Sequence, residues 1–255
     1  MKRSCLLFFL LFVPLSAYAA MSGIDDVTPN LSPADQVKID NAMTTYYLHP
    51  SVDKVNTVLD IMAAGEMVRK KTAWAPLISF LSVVFADNKN HVMRWISRND
   101  YNIYAQDIIV AALMQAKLHE TALVFAQASQ WKDEDIDRIR NYHEDTDYKH
   151  LAIILPGHID ALWGVFFASG DPVYVSEIIH VLFMTSLPHS DTVTPPDDED
   201  VLGENKALAR YSLAHYAASD SLVRSTLKKQ ISAARTPQEK QTLEKLLPSG
   251  KKIAH

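Results

Sequence analysis

The stretch GVFFASGDPVYVSEII, residues 164–179, holds the question that decides the fold. An apolar, aromatic run breaks at Ser169-Gly170-Asp171-Pro172, and a second apolar run starts at once. Such a break is either a ligand-cradling glycine loop or the corner between two packed helices. A phosphate cradle needs several glycines with a Lys or Ser/Thr at fixed offsets, whereas Gly170 is the only glycine in this break. The corner reading uses the residues better. Gly170 supplies the positive φ that ends one helix, and Asp171 caps the free N–H groups of the next.

The pattern recurs in TYYLHPSVDKVNTVL (45–59), VVFADNKNHVMRWI (83–96) and AHYAASDSLVRSTL (214–227), with a looser version in LMQAKLHETALVFA (113–126). In each, an apolar or aromatic pair is followed by a short polar hinge. A valine then lies seven or eight residues beyond the last aromatic: Tyr47 to Val55, Phe85 to Val92, Phe167 to Val175, Tyr216 to Val223. The aromatic is expected to plug the gap between two antiparallel helices and the valine to close it from the other side.

Other signals agree. The chain has only 7 glycines, too few for a protein built on strands and turns. Apolar residues recur at three and four, as in Ile103, Ile108, Ala111, Ala112, Met114 and Leu118, or Val52, Val55, Val58, Leu59 and Met62, which is the helical period. Ser32 before Pro33 and Asp35, Ser51 before Asp53, Asn99 or Asp100, Asp171 before Pro172, and Thr236-Pro237-Gln238-Glu239 read as helix starts. Gly65 and Pro188 read as stops. Leu151-Ala152-Ile153-Ile154-Leu155 fits a short buried strand or a buried helical turn.

Corners recur roughly every 30–50 residues, the range of stacked helix-pair repeats. In architecture the chain resembles tetratricopeptide-like and HEAT-like helical arrays, although the tetratricopeptide consensus does not appear at a constant period. Residues 159–179, IDALWGVFFASGDPVYVSEII, also resemble exported bacterial proteins of unknown function. The expected fold is all-α: eleven or twelve helices in successive antiparallel hairpins forming an irregular α-solenoid-like array, with an orthogonal α-helical bundle as the alternative.

Five segments follow from composition. Residues 1–19 read as a signal peptide: Lys2 and Arg3 are positive, Cys5 to Val13 is apolar but too short to span a bilayer, and Ala17-Tyr18-Ala19 offers small residues for cleavage. The lone cysteine leaves with it, so the mature chain can form no disulfide and is held by its apolar core. Residues 20–187 read as the helical-hairpin body and 188–205 as an exposed acidic, proline-rich loop. Residues 206–247 form a basic C-terminal helical unit, and 248–255 a tail.

Loss of Lys2 and Arg3 takes the formal charge from −5 to −7. Residues 206–255 carry ten Lys or Arg against three acids, a net +7, which leaves −14 for the rest. The basic unit suits an anionic surface, or docks on the chain's own acidic body. A net acidic, exported chain is a poor fit to nucleic acid, and no later stretch is long and apolar enough to span a membrane.

The densest polar cluster is NYHEDTDYKH, residues 141–150. On a helix His143 and Asp147 share a face, His150 joins them, and His158 with Asp160 follows, which makes His143, Asp147, His150 and His158 the metal candidates. The set matches no established ligand signature. No Gly-x-Ser-x-Gly elbow is present, and Asp197-Asp198-Glu199-Asp200 lacks the spacing of a calcium loop. Trp163 and Trp95 read as core. Trp131 reads as structural too, and Trp74, before Pro76 at a helix start, either packs as a staple, the structural reading, or contacts a partner. The expectation is a non-enzymatic module without a cofactor, binding a protein or peptide in the cell envelope, periplasmic or secreted. The alternatives are an enzyme or metal-binding protein using the His143–Asp160 region, and a secreted host-directed factor.

Overall fold

The computed structural model describes residues 31–65, 67–98, 100–141, 153–188 and 198–248. Among them the chain forms twelve α-helices, two short 3-10 turns and no strand. In order the helices are α1 (Pro33–Thr44), α2 (Val52–Ala64), α3 (Trp74–Asp87), α4 (Lys89–Ile96), α5 (Ile103–Gln115), α6 (His119–Ala128), α7 (Asp133–Arg140), α8 (Pro156–Ser169), α9 (Pro172–Val181), α10 (Asp198–Ser219), α11 (Ser221–Ala233) and α12 (Pro237–Glu244). The turns, Met67–Arg69 and Lys71–Ala73, lead into α3. The all-α expectation holds.

Several helices start where a side chain satisfies free N–H groups. Ser32 Oγ accepts from Asp35 N–H at 3.1 Å, Ser51 Oγ from Lys54 N–H at 3.3 Å, and Asp171 from Val173 N–H at 3.0 Å. Thr236 and Glu239 form a reciprocal capping box at the start of α12. One start differs from expectation. Asn102, not Asn99 or Asp100, caps α5 through Tyr104 and Ala105 N–H. Its amide also donates to the carbonyl of Met62 at 3.3 Å, near the end of α2, so one side chain serves two helix ends.

The break that opened the sequence reading is a helix corner. Gly170 ends α8 in the left-handed region at φ 68° and Asp171 starts α9. The four expected closing valines, Val55, Val92, Val175 and Val223, are all fully buried. The corners also meet one another. The Tyr47 N–H donates to the Phe167 carbonyl at 3.1 Å, and the Tyr47 hydroxyl donates to the Asp220 carboxylate at 2.8 Å. A Cβ on Gly170 would stand 2.6 Å from the Tyr47 ring. Asp220 itself caps α11 through Leu222 and Val223 N–H. A residue after the first helix thereby ties together the α8–α9 and α10–α11 corners.

The most extensive helix contact is between α3 and α8, which are far apart in sequence. Both are apolar on nearly all sides, as helices in the middle of a core must be. Gly164 makes the crossing close: a Cβ there would overlap Ser79 Oγ and the Pro76 carbonyl oxygen and stand 3.1 Å from Phe80 N. Sequence neighbours do pair, as α1 with α2, α5 with α6 and α8 with α9. The α3–α8 contact adds a central pair that pure neighbour-on-neighbour stacking does not contain.

Two segments depart from expectation. Ile153, Ile154 and Leu155 are buried but neither strand nor helix. Their backbone is satisfied by side chains instead of a ladder: Ile154 N–H donates to His158 Nδ1 at 3.1 Å, and Asn205 Nδ2 donates to the Ile154 carbonyl at 3.0 Å. The acidic stretch 188–205 is helical from Asp198 onward, because Val201 and Asn205 have buried partners to meet on one face of α10. α10 packs on α8 and α9, and Ala209, Leu213, Val223, Leu227 and Leu243 belong to the same apolar core as the body. The C-terminal helices are thus continuous with the body in packing.

Candidate functional site

A cleft of about 590 Å³ opens between α1, the turns before α3, α8 and α10. Its floor is a stripe on α8: Asp160, Trp163 and Phe167, spaced so that all three share one face. α1 contributes Ile39, Asp40 and Met43, the turn region Met67, Lys70 and Ala73, and α10 Leu208, Tyr211, Ser212, His215 and Tyr216. Apolar and aromatic surface dominates the walls, with polar groups spaced among it, the usual composition of a ligand site.

The aromatic rings are mutually fixed. Tyr216 lies 4.5 Å from Trp163 and 4.9 Å from Phe167, centroid to centroid, the latter edge to face. Trp163 stacks on Phe167 at 5.6 Å. On the outer rim Tyr211, 70% exposed, stacks on His215 at 6.1 Å and 9°. Inner rings are thus locked by packing and outer ones are presented to solvent. Of the polar groups, Ser212 donates its hydroxyl to the Leu208 carbonyl on its own helix, and Asp40 accepts from Gln36.

Asp160 is different. Burial pushes its carboxyl up to about 6, with no donor or cation among the described residues counteracting it. Tyr216 is likewise pushed up to about 12, by burial first and then by the nearby carboxyls of Asp40 and Asp160. Both acids therefore act on the same end of the cleft. The Trp163 indole N–H is buried and makes no hydrogen bond among the described residues. An acceptor and a donor without partners among the described residues lie one helical turn apart on the floor stripe.

The residues singled out from sequence fall elsewhere. His143, Asp147 and His150 lie outside the described residues. His158 is buried, and its Nδ1 accepts from Ile154 N–H, which fixes the ring as a brace for that segment. Among the described residues no three His, Cys, Asp or Glu side chains group as metal ligands. Trp74 is 1% exposed, stacks edge-on against Tyr104 and donates its indole N–H to the Val68 carbonyl at 2.7 Å. It is a core side chain, as the structural alternative for it required, and is not placed to contact a partner. Trp95 and Trp163 are buried as expected.

No helix among the described residues is long and apolar enough to cross a membrane. The ion pairs are local to the body, as Lys38–Asp35, Arg98 with Asp60 and Asp100, Arg138–Asp135 and Arg140–Asp137. None among the described residues joins the basic C-terminal helices to that acidic body, and Arg224 donates to the Ala217 and Ala218 carbonyls. No family model, curated protein or solved structure matches the chain.

Proposed function

We propose that this protein is an exported, non-enzymatic binding module that takes a segment of a partner protein or peptide into the cleft between α1, α3, α8 and α10. One observation carries the reading: a mostly apolar cleft of about 590 Å³ floored by locked aromatic rings and rimmed by the exposed Tyr211. Rigid aromatic side chains provide contact area at low entropic cost, which is why they anchor protein interfaces. The hydroxyl of Ser212 and the carboxylate of Asp40 are engaged within their own helices, which suits a wall more than a reaction centre. The signal-like residues 1–19 support action outside the cytoplasm, in the cell envelope.

The test is competition for one site. Peptides selected from a displayed random library should lose binding to Leu208→Trp and to Met43→Trp, which fill the cleft from α10 and from α1. Each variant must still unfold cooperatively. Peptide capture unchanged in both well-folded variants would place binding elsewhere and end this reading.

A further inference from the structure

We infer that the cleft selects a partner segment presenting a lysine or arginine next to apolar residues, with Asp160 as the counter-charge; this rests on the cleft being the binding site. The argument starts from a cost. A carboxyl taken out of water without a hydrogen bond or a cation is destabilising whenever it is charged. The side chain of Asp160 stands part-way to that state: it lines the cleft, is half-buried, and meets no ion pair or hydrogen bond among the described residues. An apolar residue at this position would complete the floor stripe at lower cost, so the carboxyl is best explained by a group that arrives from outside.

The surroundings say what that group is. Trp163, Phe167 and Tyr216 surround the same end of the cleft. Aromatic faces attract cations through their quadrupole, and a carboxylate beside them completes a site for an ammonium or guanidinium. Asp40 adds a second negative charge felt at Tyr216. Lys70, at the turn before α3, also lines the cleft, so its charge is not acidic throughout. The apolar remainder of the cleft, Ile39, Met43 and Leu208 among it, suits the side chains flanking the cation.

An array of octapeptides tests this. A central Lys, Arg, norleucine or Glu is set among randomised apolar positions, and the full-length chain and Asp160→Asn are probed in parallel. Asn has the shape of the protonated acid, so the variant should fold. The expected result is that Lys or Arg peptides bind at least about tenfold tighter than norleucine peptides, and that Asp160→Asn erases this preference while still binding the norleucine series. Equal binding of all series by the parent chain, or a Lys preference that survives Asp160→Asn, overturns the inference and leaves the cleft reading standing. No binding in any series removes both. A Lys preference that emerges only after residues 249–255 are deleted would assign the site to the chain's own Lys251-Lys252-Ile253 segment and overturn the partner assignment.

Discussion

Asp107 offers the sharpest test of the packing. It lies inside α5, is 2% exposed, and its Oδ2 has no hydrogen-bond partner among the described residues. Burial, helped by the charge of Asp135, pushes its carboxyl from 3.8 up to about 8. In the unfolded chain this group loses its proton near 3.8, while in the folded chain it keeps it to about 8. Between those values the folded state binds the extra proton, so stability falls as pH rises. The contribution is intact below about 4 and fully lost above about 8. The slope is about 1.4 kcal/mol per pH unit, which gives roughly 3–4 kcal/mol lost between about pH 5 and pH 8. Asp107→Asn removes the titration. The amide brings its own cost in this apolar site, but that cost does not change with pH, so the observable is the slope. Urea unfolding followed by circular dichroism across this range should show the parent weakening relative to the variant by that amount. Groups such as Asp160 titrate in both proteins and cancel in the difference, since distant sites add. Parallel curves would refute the reasoning, because they would mean that Asp107 reaches water or a partner.

Two further outcomes follow from close contacts. Gly164→Ala should force α3 and α8 apart at their crossing, costing about 2–3 kcal/mol and lowering Tm by roughly 5–10 °C in calorimetry; an unchanged Tm would mean the crossing is looser than Gly164 implies. Tyr47→Phe should remove the hydrogen bond to Asp220 and cost about 1–2 kcal/mol in urea unfolding, with faster amide exchange at the start of α11; no change in either would show that the three corners are not coupled through this hydroxyl.

Local chemistry explains what could be read without coordinates. A corner such as Ser169-Gly170-Asp171-Pro172 is written in adjacent residues, because φ, capping and the closing valine all act within about two helical turns. The same holds for Ser32, Ser51 and Thr236, each of which satisfies an N–H three residues on. Asn102 escaped because two better-looking caps, Asn99 and Asp100, precede it, and its second partner is the distant Met62 carbonyl. The Asp198 start of α10 escaped for a related reason. Its acidic composition reads as loop, and only burial of Val201 and Asn205 against the 153–155 segment favours helix there.

The cleft was the least legible feature, since its walls come from four separated segments and no spacing along the chain brings Asp40, Asp160 and Tyr216 together. One signal was nevertheless present. In IDALWGVFFAS the acid is the only charged residue of an otherwise apolar run. A helix buried on all sides has no solvent face on which to place such an acid, so it must meet a partner, a cation or an opening. Trp163 and Phe167, three and seven residues on, lie on its face and therefore border whatever it meets. The structure supplies an opening. The proposed site thus rests on the cost of a charge at Asp160, half-buried beside the core: a carboxyl on a face shared with two aromatic rings, at an opening.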